Sequence, residues 1–417
     1  MITPPPLRND CFALPAGVDW TPVDEAVALL RRRLSPVTGL ETVPVAQALG
    51  RVLAEDVVAR RSSPPRANSA VDGYGFAGAV PDGVHVLPLL PGRAAAGGPY
   101  NASVPAGRAL RVLTGAALPA GVETVILEED VTVEDGQIAF RGPLKAGANT
   151  RKAGEDVVAG TVILEAGRVL TAADLALAAS VGVARLTVRT RLRVAVISTG
   201  DELVEPGAAA GAGQICDANR PMLLAMITAF GFEAVDMGRV ADDREALRAC
   251  LDQAALRADV IVTSGGASAG DEDHVSALLR AAGAMQTWRI AIKPGRPLAL
   301  GLWDGKPVFG LPGNPVAAMV CTLIFARPAM GLLAGSGWRD PQGFEVPAAF
   351  EKRKKPGRRE YLRARIRDGR AEVFASEGSG RISGLSWAEG LVEIGDAARH
   401  IRPGDPVRFI PYGSFGL

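Results

Sequence analysis

From Arg191 onward the sequence alternates short apolar runs with amphipathic stretches, and this alternation constrains the fold more than any other feature. The runs Leu192–Ser198 and Asp259–Gly266 are apolar at nearly every position, and Asn219 is placed to cap one of the helical stretches between them. Strands that are apolar on both faces and alternate with helices form a parallel sheet that is covered on both sides. Residues 191–335 are therefore predicted to form a doubly wound α/β domain.

The segments around this domain carry different patterns. Residues 61–148 are rich in β-branched residues and in Pro-Gly, Gly-Gly and Asp-Gly pairs, which predicts a β-rich insertion domain. Residues 1–60 with 149–190 predict a helical and extended linking domain. Residues 336–417 alternate polar and apolar positions as half-buried strands do, and they predict a β-barrel-like domain. The expected fold class is a multidomain α/β protein with four parts.

Three local patterns make sharper predictions. Thr21, followed by a proline and an acidic residue, is expected to cap a first helix, and Thr171 is expected to cap a second helix that stops at Gly182. In the last domain, Tyr361 and Arg363 are expected to lie on one face of a strand, opposite the apolar residues between and beside them.

The charge balance limits the classes of partner. The chain has 46 basic and 45 acidic residues, a net charge of +1, which argues against a globally basic nucleic-acid binder. Residues 351–370 hold ten Lys or Arg against three acids, so this segment could bind nucleic acid or cover a small anion. The balanced total favours the small anion. No nucleic-acid partner is expected.

Cysteine and histidine usage limits the metal chemistry and the compartment. Four cysteines lie far apart and only three histidines are present, so a bound metal is expected to be a hard cation on oxygen ligands. The first ten residues have no apolar core of a signal sequence, and the most apolar run, residues 315–326, is too short to cross a bilayer. The sequence predicts a cytoplasmic protein without a membrane span.

Ligands of open α/β sheets bind outside the carboxyl ends of the strands, and in this sequence those ends are rich in small and polar residues. Small residues there let backbone N–H groups approach an anion. The sequence has no Walker or dinucleotide-binding glycine motif. The strand-end segments are STGDEL (198–203), TSGGASAGDEDH (263–274), IKPGRP (292–297) and GLPGNP (310–315).

Acids and cations accompany these turns. Carboxylates beside a phosphate cradle can bridge Mg²⁺ to the protein, and the candidate ligands at these strand ends are Asp201, Glu202, Asp271, Glu272 and Asp273. Asp273 is also well placed as a first-turn helix acid. Lys293 and Arg296 lie on a turn stiffened by proline and suit an oxyanion or phosphate, with a solvated turn as the alternative. Where small residues or a turn let backbone N–H groups approach an anion, the substrate-binding candidates are Ser264, Gly265, Gly266 and Asn314.

Two polar clusters, NSAVDGYG (68–75) and NTRKAGED (149–156), lie outside the α/β segment and are either surface turns or parts of a site. These clusters and the strand-end motifs, with RVLTGAALPAGVETVILEE (111–129), occur in an order that resembles the molybdopterin molybdenumtransferase family, the MoeA and gephyrin E-domain type. The resemblance covers about residues 20–400. It implies that residues 191–335 are a MogA-like molybdopterin-binding domain, and that the protein is an elongated homodimer.

The resemblance also implies an activity, the insertion of molybdate into adenylylated molybdopterin with release of AMP and a Mg²⁺-type ion. The molybdopterin adenylyltransferase becomes an expected partner. An adenylyltransferase-like enzyme of related fold and a non-catalytic pterin-binding scaffold remain alternatives. The positions that match residues tied to activity are Asp72, Thr114, Asp156, Glu202 and Asp273; those that match substrate contacts or the GLPGNP turn are Arg151, Lys293, Pro312, Pro315, Arg358 and Ser379.

Overall fold

The computed structural model describes residues 20–265, 274–282, 285–295 and 297–417. The described chain divides into two compact units, residues 41–188 and residues 20–40 together with 189–417. The first helix, α1 (Val23–Arg33), belongs to the second of these units. The division into four domains at the boundaries given above stays a prediction.

The unit of residues 41–188 is built mainly from strands, as the turn-rich sequence predicts. A six-stranded sheet has the order β7-β4-β6-β5-β9-β8, and three strand pairs, β1-β12, β2-β11 and β3-β10, lie outside it. The elements are β1 (Leu40–Pro44), β2 (Val57–Val58), β3 (Asn68–Ser69), β4 (Gly73–Phe76), β5 (Val80–Ala94), β6 (Ala109–Val112), β7 (Thr124–Leu127), β8 (Val131–Glu134), β9 (Gln137–Leu144), β10 (Thr150–Arg151), β11 (Val162–Leu164), α2 (Ala172–Ser180) and β12 (Arg185–Arg189).

Helix α2 begins with the capping arrangement that the sequence predicts. Thr171 accepts a hydrogen bond from the Asp174 backbone N–H, and the Asp174 carboxylate accepts one from the Thr171 N–H at 2.8 Å. The same carboxylate accepts the Thr171 hydroxyl at 2.8 Å and pairs with Arg168 at 2.9 Å. Burial alone would raise the pKa of Asp174, which is 4% exposed, but these hydrogen bonds outweigh burial and lower it.

Replacing Asp174 by asparagine is expected to destabilise the unit of residues 41–188 by about 1–3 kcal/mol at neutral pH, the usual effect of losing buried hydrogen bonds. Folding lowers the pKa of Asp174 below its ordinary value of 3.8. The contribution of Asp174 to the free energy of unfolding is therefore complete above pH 3.8 and is lost as the pH falls through the lowered pKa. Thermal unfolding of both proteins at neutral and acid pH measures the difference. Glu134→Gln, at an exposed acid of β8, is the matched control, and an equal loss there would contradict the assignment.

The second unit contains the predicted doubly wound domain. Its sheet has the order β16-β13-β17-β21-β20-β18, and α7 continues α6 through one π-helical turn at Thr322–Ala326. The elements are β13 (Arg193–Thr199), β14 (Leu203–Val204), β15 (Ile215–Cys216), α3 (Asn219–Ala229), β16 (Glu233–Val240), α4 (Arg244–Arg257), β17 (Val260–Ser264), α5 (His274–Ala281), β18 (Met285–Arg289), β19 (Ile292–Lys293), β20 (Pro297–Trp303), β21 (Lys306–Leu311), α6 (Pro315–Cys321) and α7 (Arg327–Leu333).

Strand β13 shows why both faces of this sheet are apolar. Val194 and Val196 belong to one buried cluster, whereas Ala195 and Ile197 belong to another, on the opposite face of the strand. The prediction of a sheet covered on both sides is therefore confirmed. The prediction that the sheet is parallel holds for the pairs among β16, β13, β17 and β21, but β20 pairs antiparallel with both β21 and β18 and so runs opposite to the other five strands. A two-residue turn, Asp304-Gly305, joins β20 directly to β21 and leaves no room for a crossover helix.

Three local predictions were wrong. Helix α1 is preceded by Pro22 without a side-chain cap, because Thr21 pairs with Ile290 as an isolated β-bridge. Asn219 is the first residue of α3 and does not cap it; the Asp217 carboxylate accepts the free N–H of Arg220 at 3.1 Å. The apolar helical segment runs from Pro315 to Leu333, long enough to cross a membrane, but 83% of its apolar 18-residue window is buried inside the protein, which is typical of a core helix.

The carboxyl-terminal strands form the predicted barrel-like sheet. Its order is β19-β24-β26-β28-β22, and β25 pairs with the carboxyl-terminal half of β24, which β19 does not reach. Ala348 after β22 bridges Ala371 of β25, so the strands nearly close on themselves. Strand β23 pairs with β27. The elements are β22 (Phe344–Pro347), β23 (Lys352–Lys354), β24 (Arg359–Arg367), β25 (Arg370–Val373), α8 (Ser383–Trp387), β26 (Gly390–Ile394), β27 (Arg399–Ile401) and β28 (Pro406–Pro411).

Strand β24 is not half-buried as its alternating sequence predicts. Leu362 and Ala364 face the core of the barrel-like sheet, but Tyr361 and Arg363 are 3% and 4% exposed. Tyr361 packs into the apolar cluster of the α/β sheet, which covers the second face of the strand. A polar side that meets another layer of the protein is buried whatever its sequence pattern indicates.

Candidate active site

Three strand ends meet at one edge of the α/β sheet. Ser198 pairs with Ser264, and Ser264 pairs with Leu311, so β13, β17 and β21 finish side by side. Gly265 follows at a φ of +94°, and a Cβ there would lie 2.4 Å from the Thr199 carbonyl oxygen, so no other residue fits. A Cβ on Gly313 would lie 3.6 Å from the Gly265 Cα, and the two glycine turns are therefore in contact. The predicted Ser264, Gly265 and GLPGNP candidates are brought together.

Asn219 holds these turns together, a role that sequence reasoning missed. Its Nδ2 donates to the Ser264 Oγ at 2.7 Å and to the Gly313 carbonyl oxygen at 2.7 Å. The side chain is 7% exposed, and its Oδ1 has no hydrogen-bond partner within the described part of the chain. An asparagine at a helix start predicts a cap, and only the tertiary structure reveals that its amide is used elsewhere.

The segment that carries Ser379 lies against the same turn. The Ser379 carbonyl oxygen accepts the Val316 N–H at 3.3 Å, directly after Asn314 and Pro315. A Cβ on Gly380 would lie 3.9 Å from the Asn314 Nδ2. Ser379 is therefore beside the end of β21, although 65 residues of sequence separate it from Asn314 (379 − 314). The structure places these two substrate-binding candidates next to each other.

Lys293 lies beside the same segment and is surrounded by acids. Its Nζ donates to the Glu377 carboxylate at 2.6 Å and lies 3.6 Å from the Glu360 carboxylate. Strand β19 pairs with β24, so Ala291 and Ile292 lie opposite the start of that strand, next to Arg358. The Arg358 guanidinium lies 6.0 Å from the centre of the Trp20 ring, a cation–π distance. The structure therefore brings Lys293 and Arg358 to one region of the second unit.

The basic segment of residues 351–370 is partly neutralised within the fold. Arg359 pairs with Asp24 and Asp396, Arg365 with Glu372, and Arg367 with Glu389. Hydrogen bonds to Asp24, followed by those to Asp396, raise the pKa of Arg359. Cations that are already paired offer little attraction to a nucleic-acid backbone, which supports the small-anion interpretation.

The acids after β13 have different surroundings. Asp201 and Asp242 accept each other's backbone N–H groups, and Asp242 also accepts the Thr199 hydroxyl at 2.7 Å. Asp242 was missed by sequence reasoning, since it follows β16 and not a recognised motif. Glu202 is exposed, and no hydrogen bond to its carboxylate is found within the described residues. Glu202 is thus an available oxygen ligand beside the strand ends.

Five candidates or neighbouring acids lie outside the described residues: Gly266, Asp271, Glu272, Asp273 and Arg296. The described part of the chain contains no group of three or more side chains that could hold a metal ion. Carboxylate oxygens suit Mg²⁺, so the exposed Glu202 fits the predicted ion as one ligand. The magnesium site formed by Glu202 and Asp273 stays a prediction.

The remaining candidates belong to the unit of residues 41–188. The Asp72 Oδ1 accepts the Thr114 backbone N–H at 2.5 Å and its hydroxyl at 2.7 Å, and these hydrogen bonds lower the pKa of Asp72. Arg151 lies opposite Asn68 in the β3-β10 pair, so the two polar clusters adjoin. Asp156 donates its N–H to the Ser63 carbonyl oxygen, and no hydrogen bond joins its side chain to Asp72 among the described residues. The structure pairs Asp72 with Thr114, and the role of Asp156 stays a prediction.

A doubly wound sheet with glycine turns and an available acid at its carboxyl edge, combined with a β-rich unit and a barrel-like sheet, defines an α/β enzyme that acts on an anionic small molecule. Three family models match the chain in order. "MoeA N-terminal region (domain I and II)" matches residues 21–182, "Probable molybdopterin binding domain" residues 195–331, and "MoeA C-terminal region (domain IV)" residues 345–412.

Curated relatives and solved structures agree with these models. A molybdopterin molybdenumtransferase of Haemophilus influenzae is 37% identical over 344 residues, 82% of this chain and 85% of the relative. Molybdopterin molybdenumtransferase 2 of Mycobacterium tuberculosis is 35% identical over 394 residues, 88% of this chain and 93% of the relative. A crystal structure of a molybdopterin biosynthesis moeA protein from Pyrococcus horikoshii is 27% identical with a TM-score of 0.82, covering 94% of this chain and 100% of the other. The chain belongs to the molybdopterin molybdenumtransferase family.

Proposed function

We propose that this protein inserts molybdate into adenylylated molybdopterin and releases AMP, giving the molybdenum cofactor. The observation that carries the proposal is the match of three family regions, in order, over nearly the whole chain. The glycine turns at the carboxyl edge of the α/β sheet support it. The residues that support the proposal are those of the candidate active site.

The chemistry explains why such residues are needed. Molybdate and a pyrophosphate ester are both anions and repel each other, so a site for both must supply cations and fixed hydrogen-bond donors. Lys293 provides a cation, and the glycines at positions 265 and 313 have no side chains that would keep an anion away from the backbone of these turns. Asn219 keeps these two turns in register through its two hydrogen bonds, so the donors do not reorganise during the reaction.

A divalent ion belongs to the proposal. Glu202 and Asp273 would hold a Mg²⁺-type ion, which supplies charge neutralisation and polarises the scissile phosphate when bound. Asp72 is kept ionised by its hydrogen bonds from Thr114, and Arg151 provides a further cation in the same unit. The roles of these residues follow from the family resemblance.

The direct test is AMP release. The purified protein is mixed with adenylylated molybdopterin and molybdate, and AMP and assembled cofactor are quantified. We expect AMP release that depends on molybdate. An adenylyltransferase-like enzyme would consume ATP and molybdopterin without a molybdate requirement, and a scaffold would bind the pterin without releasing AMP; either result would contradict the proposal.

We further propose that the protein is a cytoplasmic homodimer. The dimer follows from the family resemblance, and the described cysteines, Cys216, Cys250 and Cys321, are all free thiols, as is usual in a reducing compartment. Light scattering at micromolar concentration is expected to give about twice the chain mass of 43.3 kDa. A mass equal to that of one chain would exclude the dimer. The adenylyltransferase that supplies the substrate is the proposed protein partner.

A further inference from the structure

Lys293 is one of two lysines that share the same two acids. Lys352 of β23 pairs with Glu360 at 3.0 Å and with Glu377, and Lys293 pairs with Glu377 at 2.6 Å. The four side chains thus form a closed ring of two cations and two anions, defined here as the lysine–glutamate ring. Lys352 belongs to the basic segment of residues 351–370, but no sequence motif contains Glu377, and the four residues come from four separate segments.

The lysine–glutamate ring borders a cavity of about 180 Å³. The wall includes Lys293, Lys352, Arg363 and Glu377. Glu351 also lines it, but the carboxylate of Glu351 is hydrogen-bonded to His400 at 2.9 Å. The space is several times the ~10–15 Å³ that one ordered water needs, so it has room for a tetrahedral oxyanion.

The two acids of the ring differ in how firmly they are held. The Glu360 side chain, within β24, is 10% exposed, whereas the Glu377 side chain is 48% exposed and lies on the segment between β25 and α8. Burial alone would raise the pKa of Glu377, but hydrogen bonds from Lys293 and Lys352 outweigh it and lower the pKa. Glu377 is therefore ionised at neutral pH, and it is the acid that can move away.

The backbone next to Glu377 is anchored independently of its side chain. Arg363 donates to the carbonyl oxygens of Ser376 and Gly378 on either side, and to that of Arg381. The Glu377 side chain can consequently leave the lysines without displacing the segment that carries Ser379. After it leaves, Lys352 keeps its 3.0 Å contact with Glu360, but Lys293 has only the 3.6 Å separation from Glu360, beyond hydrogen-bond distance.

We propose that Glu377 is a built-in competitor that occupies the anion site of Lys293 and Lys352 until a tetrahedral oxyanion displaces it. The proposal rests on the proposed function, in which Lys293 receives an anionic substrate. Lys352 then becomes a second binding residue for that anion. The ligand is a dianionic tetrahedral group, either molybdate or a phosphate monoester, because both present oxygens to two ammonium groups in the same way.

The test compares molybdate binding to wild type and Glu377→Gln by isothermal titration calorimetry. Removing the competing charge is expected to tighten binding about tenfold, since the anion no longer has to break the charge-assisted contacts of Glu377. Glu372→Gln, which breaks the half-buried pair with Arg365 in the same sheet, is the matched control and should bind as wild type does. Glu377→Asp has a shorter side chain that reaches the lysines less well, so its affinity for molybdate should lie between those of wild type and Glu377→Gln.

Titrations with inorganic phosphate and with AMP identify which anion the site binds. If Glu377→Gln binds only molybdate more tightly than wild type does, the site is assigned to the metal oxyanion. If it binds only phosphate or AMP more tightly, the site is assigned to a phosphate group. Equal or weaker binding of all three anions by Glu377→Gln would contradict the proposal that Glu377 is a competitor.

Lys293→Ala and Lys352→Ala distinguish the proposal of an anion site at Lys293 from the proposal that Glu377 competes for that site. If Lys293→Ala binds every anion as wild type does, the anion site itself is absent and both proposals for Lys293 fail; if it binds weakly while Glu377→Gln is unchanged, only the competitor fails.

Discussion

Asp273→Asn is expected to lower AMP release by ~100-fold or more while the protein still folds. The variant keeps the size of the side chain but removes the negative charge, which both metal binding and proton transfer require. A positioned acid or base contributes ~10²–10⁴-fold to a rate, and the expected loss lies in that range. In sequence, Asp273 follows a Gly-Gly turn after β17 and precedes the first described residue of α5, His274.

The control for this variant is its neighbour. Glu272→Gln makes the same chemical change one residue earlier, and we expect it to keep most of the activity because Glu272 does not match a position tied to activity in the family. Thermal unfolding of both variants checks that they fold. Full molybdate insertion by Asp273→Asn, or an equal loss in Glu272→Gln, would show that the charge of Asp273 is not required.

Local patterns predicted the architecture because they reflect local physics. The apolar run of β13 could be assigned to a two-faced sheet because Val194 and Ala195 must each find a separate core, and the structure contains both cores. The Thr171 cap could be assigned because an N-cap needs only residues within one turn. The glycine turn after β17 could be assigned to a site edge because parallel strands end together.

The lysine–glutamate ring could not be found in this way. Lys293 and Glu377 are 84 residues apart, and neither lies in a pattern that indicates the other. The same reason applies to Asn219, whose contact with Gly313 spans 94 residues, and to Tyr361, whose burial depends on a layer from another part of the chain. Side-chain pairs of this separation follow from topology, which sequence periodicity does not contain.

Lys293→Ala is expected to weaken binding of molybdopterin or molybdate by roughly 10- to 150-fold at 25 °C. Charge-assisted contacts to an oxyanion contribute ~1.5–3 kcal/mol each, and ~1.4 kcal/mol corresponds to tenfold. The fold should survive the substitution, because Glu377 and Glu360 keep Lys352 as a partner. Lys293→Arg, which keeps the charge, should lose less.

Calorimetric titration distinguishes this expectation from a purely structural role for Lys293. Lys306→Ala removes a partly exposed lysine at the amino end of β21, the edge opposite to Leu311 and the glycine turns, and it should bind as wild type does. A general loss of positive charge would weaken both variants to a similar, small extent that disappears with added salt. A specific anion contact weakens only Lys293→Ala and is partly restored by arginine. Unchanged affinity in Lys293→Ala would mean that the cation serves only to hold Glu377, and the anion would then have to be bound by the turns around Gly265 and Gly313.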